Sequence, residues 1–234
     1  MTESYRRLFE LKGKKALIIG GAGYLGAEIS DTLAALGADV VIASRNQTNC
    51  QALCETIQKR YPGASAEALA LDLADKKSIR RCFKQMSARG GFDILVNNAG
   101  AGKKNSLESI SDEDWDYDIE MNLSAVFRCV KAALPDLKKK KGVVLNVASM
   151  YGYLAPDPRL YEGNSFTNPP SYGVAKAGVI QFTKYLASFL SPHGIRVNCI
   201  SPGAFPHEQV QKDKTFVRRL CSFEISAAAF VSFK

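Results

Sequence analysis

Two histidines, one tryptophan and no Cys-x-x-Cys pair stand in a chain of 234 residues. The six cysteines, at 50, 54, 82, 129, 199 and 221, have neither the spacing nor the histidine company of a zinc site, so no metal is expected. At this length a core can form without disulfides, and a reducing compartment is the simpler reading of these cysteines. No apolar run approaches about 18 residues, and Met1–Leu11 is polar with both charge signs. Neither export nor membrane spanning is expected, and the location read from this is cytoplasmic. Glycine, frequent earlier, is absent after Gly203.

What is plentiful is positive charge, a formal net +8. An anionic substrate or a nucleic acid would suit it. Its densest run, Lys138–Lys141, follows a helical stretch, where cations offset the negative end of the helix dipole. No RNA-binding aromatic motif or recognition-helix pattern accompanies the charge, so no nucleic-acid partner is expected.

Short apolar runs alternate with helix-length segments. Ala16–Ile19, Val40–Ala43, Ala68–Leu71, Ile94–Val96, Val143–Val147 and Ile195–Ile200 read as strands. Leu25, Ile29, Leu33 and Leu36 recur at one-face helical spacing, and Ser78 to Met86 and Tyr172 to Phe189 read similarly. Strand, helix, strand in repetition predicts an α/β, doubly wound parallel sheet of the Rossmann type, in one domain spanning 1–234. The segment Tyr151–Ser171, with four prolines, is the longest irregular stretch, and loops of that length are usually functional.

After the first strand comes Gly20-Gly21-Ala22-Gly23-Tyr24-Leu25-Gly26, entering a helix. Gly-x-Gly-x-x-Gly is met at 21, 23 and 26 in the strand-to-helix context that a dinucleotide site requires. Glycine there allows a tight turn, close approach to phosphate and close helix–strand packing. The second strand ends in Ser44-Arg45, where a free ribose 2′-hydroxyl would want a carboxylate. A hydroxyl and a guanidinium suit a 2′-phosphate instead, which points to NADP(H), with NAD(H) as the lesser choice. A surface turn whose arginine faces water is the plain alternative.

Asn97-Asn98-Ala99-Gly100 closes the fourth strand, and Ser149 follows the fifth. Tyr172-Gly-Val-Ala-Lys176 opens the next helix, and Asn198-Cys-Ile-Ser-Pro202-Gly203 comes later. With the glycine turn, this ordered set resembles the short-chain dehydrogenase/reductase family over about Lys14 to Gly203. The Gly20/Gly23/Gly26 spacing is similar to that family's extended branch, while length and remaining motifs resemble its shorter members. The resemblance implies an NAD(P)-dependent enzyme interconverting CH–OH and carbonyl. Tyr172 would exchange the proton, Ser149 would hold the reacting oxygen, Lys176 would lower the phenol pKa, and Asn122 would support a water leading to the lysine. Tyr172 and Lys176, four apart, share a helix face. Cofactor contacts would come from the glycine turn with Tyr24 and Leu25, from Ser44 and Arg45, from Asp72 and Leu73 after the third strand, and from Tyr172 and Lys176, whose ammonium would serve both phenol and ribose. Asn98, Ala99 and Gly100 would line the ribose side, and Pro202 and Gly203 the nicotinamide carboxamide. An Asp after a strand is also a common helix cap.

Ser149 and Tyr172 lie farther apart than is usual in the family. The insertion between them is similar to that of bacterial reductases of flagellin-modification and nonulosonic (legionaminic-type) acid sugar pathways. It implies a small, polar, sugar-like substrate such as an amino or nucleotide sugar. Tyr153, Tyr161 and Phe166 would face a ring, and Asp157, Arg159 and Glu162 would bind its substituents. Beyond Gly203 the resemblance stops, and 204–234 is an atypical segment in which the family's last strand is expected to be missing. The strand Ile195–Ile200 would then be a sheet edge, covered by Phe223, Ile225, Phe230, Val231 and Phe233. Homo-oligomerisation is left open. A catalytically weak nucleotide-binding remnant is the rival reading.

Overall fold

Six parallel strands lie side by side in the order β3-β2-β1-β4-β5-β6. They are β1 (Lys15–Ile19), β2 (Asp39–Ser44), β3 (Ala66–Ala70), β4 (Ile94–Asn97), β5 (Val143–Val147) and β6 (Arg196–Ile200). This computed structural model describes residues 8–164, 166–205 and 208–230, the backbone alone at 208–209 and 223–230. The connecting helices are α1 (Tyr24–Ala35), α2 (Gln47–Arg60), α3 (Lys76–Ala88), α4 (Asp112–Ile119), α5 (Ala125–Lys140) and α6 (Pro170–Leu190).

Helices cover both faces, so the strands read as continuous apolar runs rather than as alternation. Leu17, Ile19, Val41 and Leu95 meet Ile79, Phe83 and Met86 of α3, Cys129 and Leu137 of α5, and Leu186 and Leu190 of α6. The opposite side chains, Ile18, Val40 and Ile42, meet Ala34 of α1 and Cys50, Cys54 and Ile57 of α2. On α1 the deepest stripe is Gly26, Ser30 and Ala34, all small, while Leu25, Ile29 and Leu33 are half-buried beside it. Small residues bring the helix close to the sheet. β3 begins two residues earlier than its apolar run predicts, where pairing with Val40 of β2 starts at Ala66, and Leu71 is buried past the strand end. Lys138–Lys140 form the last turn of α5 and are exposed, as the dipole argument expects.

The long insertion is mostly irregular among the described residues, as expected, apart from two short turns. Short 3-10 turns form at Met150–Gly152 and Pro158–Tyr161, and α6 starts at Pro170. Pro170 occupies the first helical position, where its missing N–H costs nothing. After β6 come α7 (Glu208–Gln211) and α8 (Lys214–Phe230).

Among the described residues no seventh strand follows, and β6 is the sheet edge. The side chains expected to cover this edge, those of Phe223, Ile225, Phe230, Val231 and Phe233, lie outside the described residues. Nearer the start of this segment, Phe216 and Leu220 pack with Leu160, Tyr161 and Phe166 of the insertion. Arg219 adds a hydrogen bond to the Glu162 carbonyl oxygen at 2.7 Å. The backbone at 223–230 is helical, and Val231 and Phe233 lie outside the described residues.

Candidate active site

The strand order reverses between β1 and β4, and a cleft of about 840 Å³ opens at their carboxyl ends. Gly20 leaves β1 at φ +73°, a left-handed conformation, and a Cβ there would lie 2.7 Å from the Ala99 Cα. Asn98 closes the turn across the switch point, its Nδ2 donating to the Gly20 carbonyl oxygen at 3.0 Å. A Cβ on Gly26 would collide with that same carbonyl and sit 2.7 Å from Asn98 Nδ2. The three glycines at 20, 23 and 26 therefore shape one cradle. Gly23 is the N-cap of α1 with no side-chain cap, and the first turn carries no acidic residue. That helix end suits an anion.

Gly20, Gly23, Tyr24 and Leu25 line the cleft. Gly21 does not, contrary to expectation. It packs the turn onto α1, where Ser30 Oγ donates to its carbonyl oxygen at 3.1 Å. Gly26 likewise acts from behind the turn. Ser44 and Arg45 both line the cleft, joined by Asn46 and Asn49. Asn46 caps α2 by accepting from the Asn49 amide at 3.0 Å, which holds the β2–α2 corner in place. Asp72 sits between two residues of the lining. Leu71 and Leu73 face the cleft, whereas the Asp72 carboxylate accepts from the Ala74 amide at 3.0 Å and behaves as a turn cap.

At the other end Asn98, Ala99, Gly100, Pro202 and Gly203 converge with Asn122, Ser149, Tyr172 and Lys176. Lys176 is buried, and its Nζ donates to the Val147 carbonyl oxygen at 2.9 Å. Burial pushes the ammonium down to about 8. Its Nζ lies 5.6 Å from the centre of the Tyr172 ring. Burial raises the Tyr172 phenol above its ordinary value, while a side-chain hydrogen bond from Ser149 pulls the other way. The sequence expectation was a lowered phenol. Desolvation of the phenolate wins.

Asn122 sits in a π-helical turn, Glu120–Ser124, between α4 and α5. Such bulges re-aim a side chain inside a helix. Its Nδ2 donates to the carbonyl oxygens of Ala101 at 2.5 Å and Asp118 at 2.9 Å. Its buried Oδ1 has no partner. A Cβ on Gly100 would lie 2.7 Å from that oxygen and 3.7 Å from Lys176 Nζ. The orphan acceptor and the ammonium thus face one small space.

Asp118 was not anticipated. Fully buried, it accepts from the Lys103 amide at 2.9 Å and from the Ser171 hydroxyl at 2.5 Å, pinning the loop after β4 to the start of α6. Tyr161, Phe166, Phe216 and Leu220 form an aromatic wall at this end, with the Tyr151 and Tyr161 hydroxyls 3.0 Å apart. Phe216 and Leu220 come from the tail, so no motif in the first 203 residues could have announced them. Asp157 and Arg159 pair with each other on the exposed side, and neither they nor Glu162 and Tyr153 line the cleft.

Residues 14–216 match the family described as short chain dehydrogenase. The chain is 37% identical over 194 residues to "3-oxoacyl-[acyl-carrier-protein] reductase FabG" of Escherichia coli K12, covering 82% of this chain and 73% of that one. Its counterpart of the same name in Vibrio cholerae is 35% identical over 195 residues, covering 82% and 74%. Among solved structures, the Pseudomonas aeruginosa "RhlG/NADP active-site complex" superposes with a TM-score of 0.80 at 29% identity, covering 90% of this chain and 81% of that one. The chain belongs to the short-chain dehydrogenase family. It is an NAD(P)-dependent oxidoreductase acting on CH–OH and carbonyl groups. Among the described residues no helix is long and apolar enough to cross a membrane.

Proposed function

We propose that the protein is an NADP(H)-preferring reductase of a small oxygenated carbonyl compound, working as one domain in the cytoplasm. The observation that carries this is the meeting of the Ser149–Tyr172 hydrogen bond with buried Lys176 at one end of a cleft whose other end is a glycine cradle. Two features fit a dinucleotide: the collision a Cβ would make at Gly26, and the uncapped α1 N-terminus. Gly20, Gly23 and the first turn of α1 would hold the pyrophosphate. Arg45 and Ser44 would take the 2′-phosphate. Asn98, Ala99 and Gly100 would border the ribose, and Pro202 and Gly203 the carboxamide. When bound, the nicotinamide supplies hydride to the carbonyl carbon or accepts it back.

Tyr172, whose neutral form burial favours further, gives its proton to the substrate oxygen. The Ser149 hydroxyl donates to that same oxygen and orients it. Lys176 holds positive charge beneath the phenol as its proton leaves. Asn122 Oδ1, buried without a partner, is placed to accept from a water that leads to the lysine.

The expected sugar-like substrate keeps the ring faces of Tyr161 and Phe166 but loses the contacts foreseen from Asp157, Arg159 and Glu162. A second reading, a 3-oxoacyl thioester as in the relatives' names, is favoured by the apolar Leu160–Phe216–Leu220 cluster. Cofactor titration followed by NADPH-dependent turnover of both substrate classes tests the proposal. Binding without turnover of any carbonyl would leave the nucleotide-binding remnant as the reading.

A further inference from the structure

Asn168 lies in the cleft four residues before Tyr172. Its Nδ2 is shielded from solvent and has no hydrogen-bond partner. The stretch that carries it is held on both sides. Before it, the Thr167 amide donates to the Lys104 carbonyl oxygen at 3.4 Å. After it come buried Pro169 and the helix start at Pro170, fastened by the bond from Ser171 to Asp118. Pro169 limits the backbone of Asn168 itself to extended conformations. A buried donor left unpaired destabilises the fold, and native structures rarely keep one without a reason.

The surroundings narrow the reason. Tyr161, Phe166, Phe216 and Leu220 supply a wall that is mostly ring and hydrocarbon. In an apolar pocket a few placed polar groups set orientation and specificity. Ser149 and Tyr172 are occupied with the reacting oxygen, which leaves the Asn168 amide for a different atom of the substrate.

Resting on the oxidoreductase reading above, we infer that Asn168 is a specificity-determining residue whose amide donates to a second oxygen, carried by the substrate near its reacting carbonyl. The class this selects is the bifunctional carbonyl compound. A 3-oxoacyl thioester and a keto sugar both belong to it, and a simple ketone does not. A site built to hydrogen-bond one substrate oxygen discriminates against analogues that lack it.

The test compares the full-length protein with Asn168→Leu, which keeps the side chain's approximate shape and removes the donor. Substrates are an acetoacetyl thioester of N-acetylcysteamine, a nucleotide-linked 4-keto sugar and cyclohexanone, each with NADPH. The ratio of kcat/KM for whichever bifunctional substrate is used to that for cyclohexanone should fall roughly tenfold in the variant. The arm that responds tells the thioester from the sugar. An unchanged ratio overturns the inference. A readout independent of turnover is the melting temperature of the ligand-free proteins. Asn168→Leu should melt at or above the unmodified protein, since it removes an unpaired group, and a drop of several degrees overturns the inference by giving Asn168 a structural role. Failure of all three substrates in both proteins would count against the proposed reductase reading of this cleft, while the melting comparison still decides whether the amide is held for a ligand.

Discussion

The Lys176 ammonium donates to the Val147 carbonyl oxygen 2.9 Å away, joining α6 to the end of β5 beneath the cleft. One hydrogen bond does not replace the hydration that burial removes, so the ammonium sits at about 8 instead of 10.5. Below pH 8 it is charged in both folded and unfolded chains, and the whole cost of burying it is present. Between about 8 and 10.5 the unfolded chain binds the extra proton, so stability rises with pH. Urea titrations at pH 7.5 and 10 should show the unmodified protein gaining about 2 kcal/mol relative to Lys176→Met. Parallel pH profiles for the two proteins would contradict the burial argument.

Tyr172→Phe removes the proton carrier and leaves the cleft's shape. Turnover should fall about 10²–10⁴-fold while the cofactor dissociation constant, read by fluorescence quenching, stays within a factor of two or so. Equal turnover in the two proteins would dismiss Tyr172 as the acid.

Ser44 and Arg45 border the cleft at the end of β2 with no carboxylate beside them there. Ser44→Asp places a negative charge where a 2′-phosphate would bind. NADPH affinity should drop by one to two orders of magnitude and NADH affinity should change little, on the scale of a lost charge-assisted contact with added repulsion. Tighter binding of NADH than NADPH by the unmodified protein would remove the claimed preference.

Gly26→Ala cannot be accommodated without moving the Gly20 carbonyl or the Asn98 amide, which are bonded to each other at 3.0 Å. Loss of cofactor binding and a melting temperature lower by several degrees are expected. Gly63→Ala is a control for conformational strain alone, since its φ is +94° and nothing lies within 4 Å of an added Cβ. It should cost about 1 kcal/mol and leave cofactor affinity untouched.

Phe216 packs on Tyr161 and Phe166, with ring centres 6.0 and 5.6 Å away. Phe216→Ala should lower stability by about 2–4 kcal/mol and raise KM for the carbonyl substrate, with cofactor affinity unchanged. An undisturbed KM would show that the tail helix supports the wall without shaping the substrate end.

The parallel sheet was legible in the sequence because each strand is a short apolar run bounded by turn residues, a local pattern that needs no partner to be read. The same holds for the glycine turn and for Tyr172 and Lys176, whose spacing alone puts them on one helix face. Asn122 was legible by resemblance, but its re-aiming by a π-helical turn depends on how α4 and α5 pack. Tertiary structure decided which glycines face the cleft: Gly21 and Gly26 answer to Ser30, Gly20 and Asn98, neighbours that only folding supplies. It also decided that Asp72 caps a turn and that the direction of the Tyr172 shift is set by burial, a property of the whole fold. Phe216 and Leu220 follow the last motif, and the aromatic surface they pack on belongs to the insertion far earlier in the chain, a meeting that only three dimensions supply.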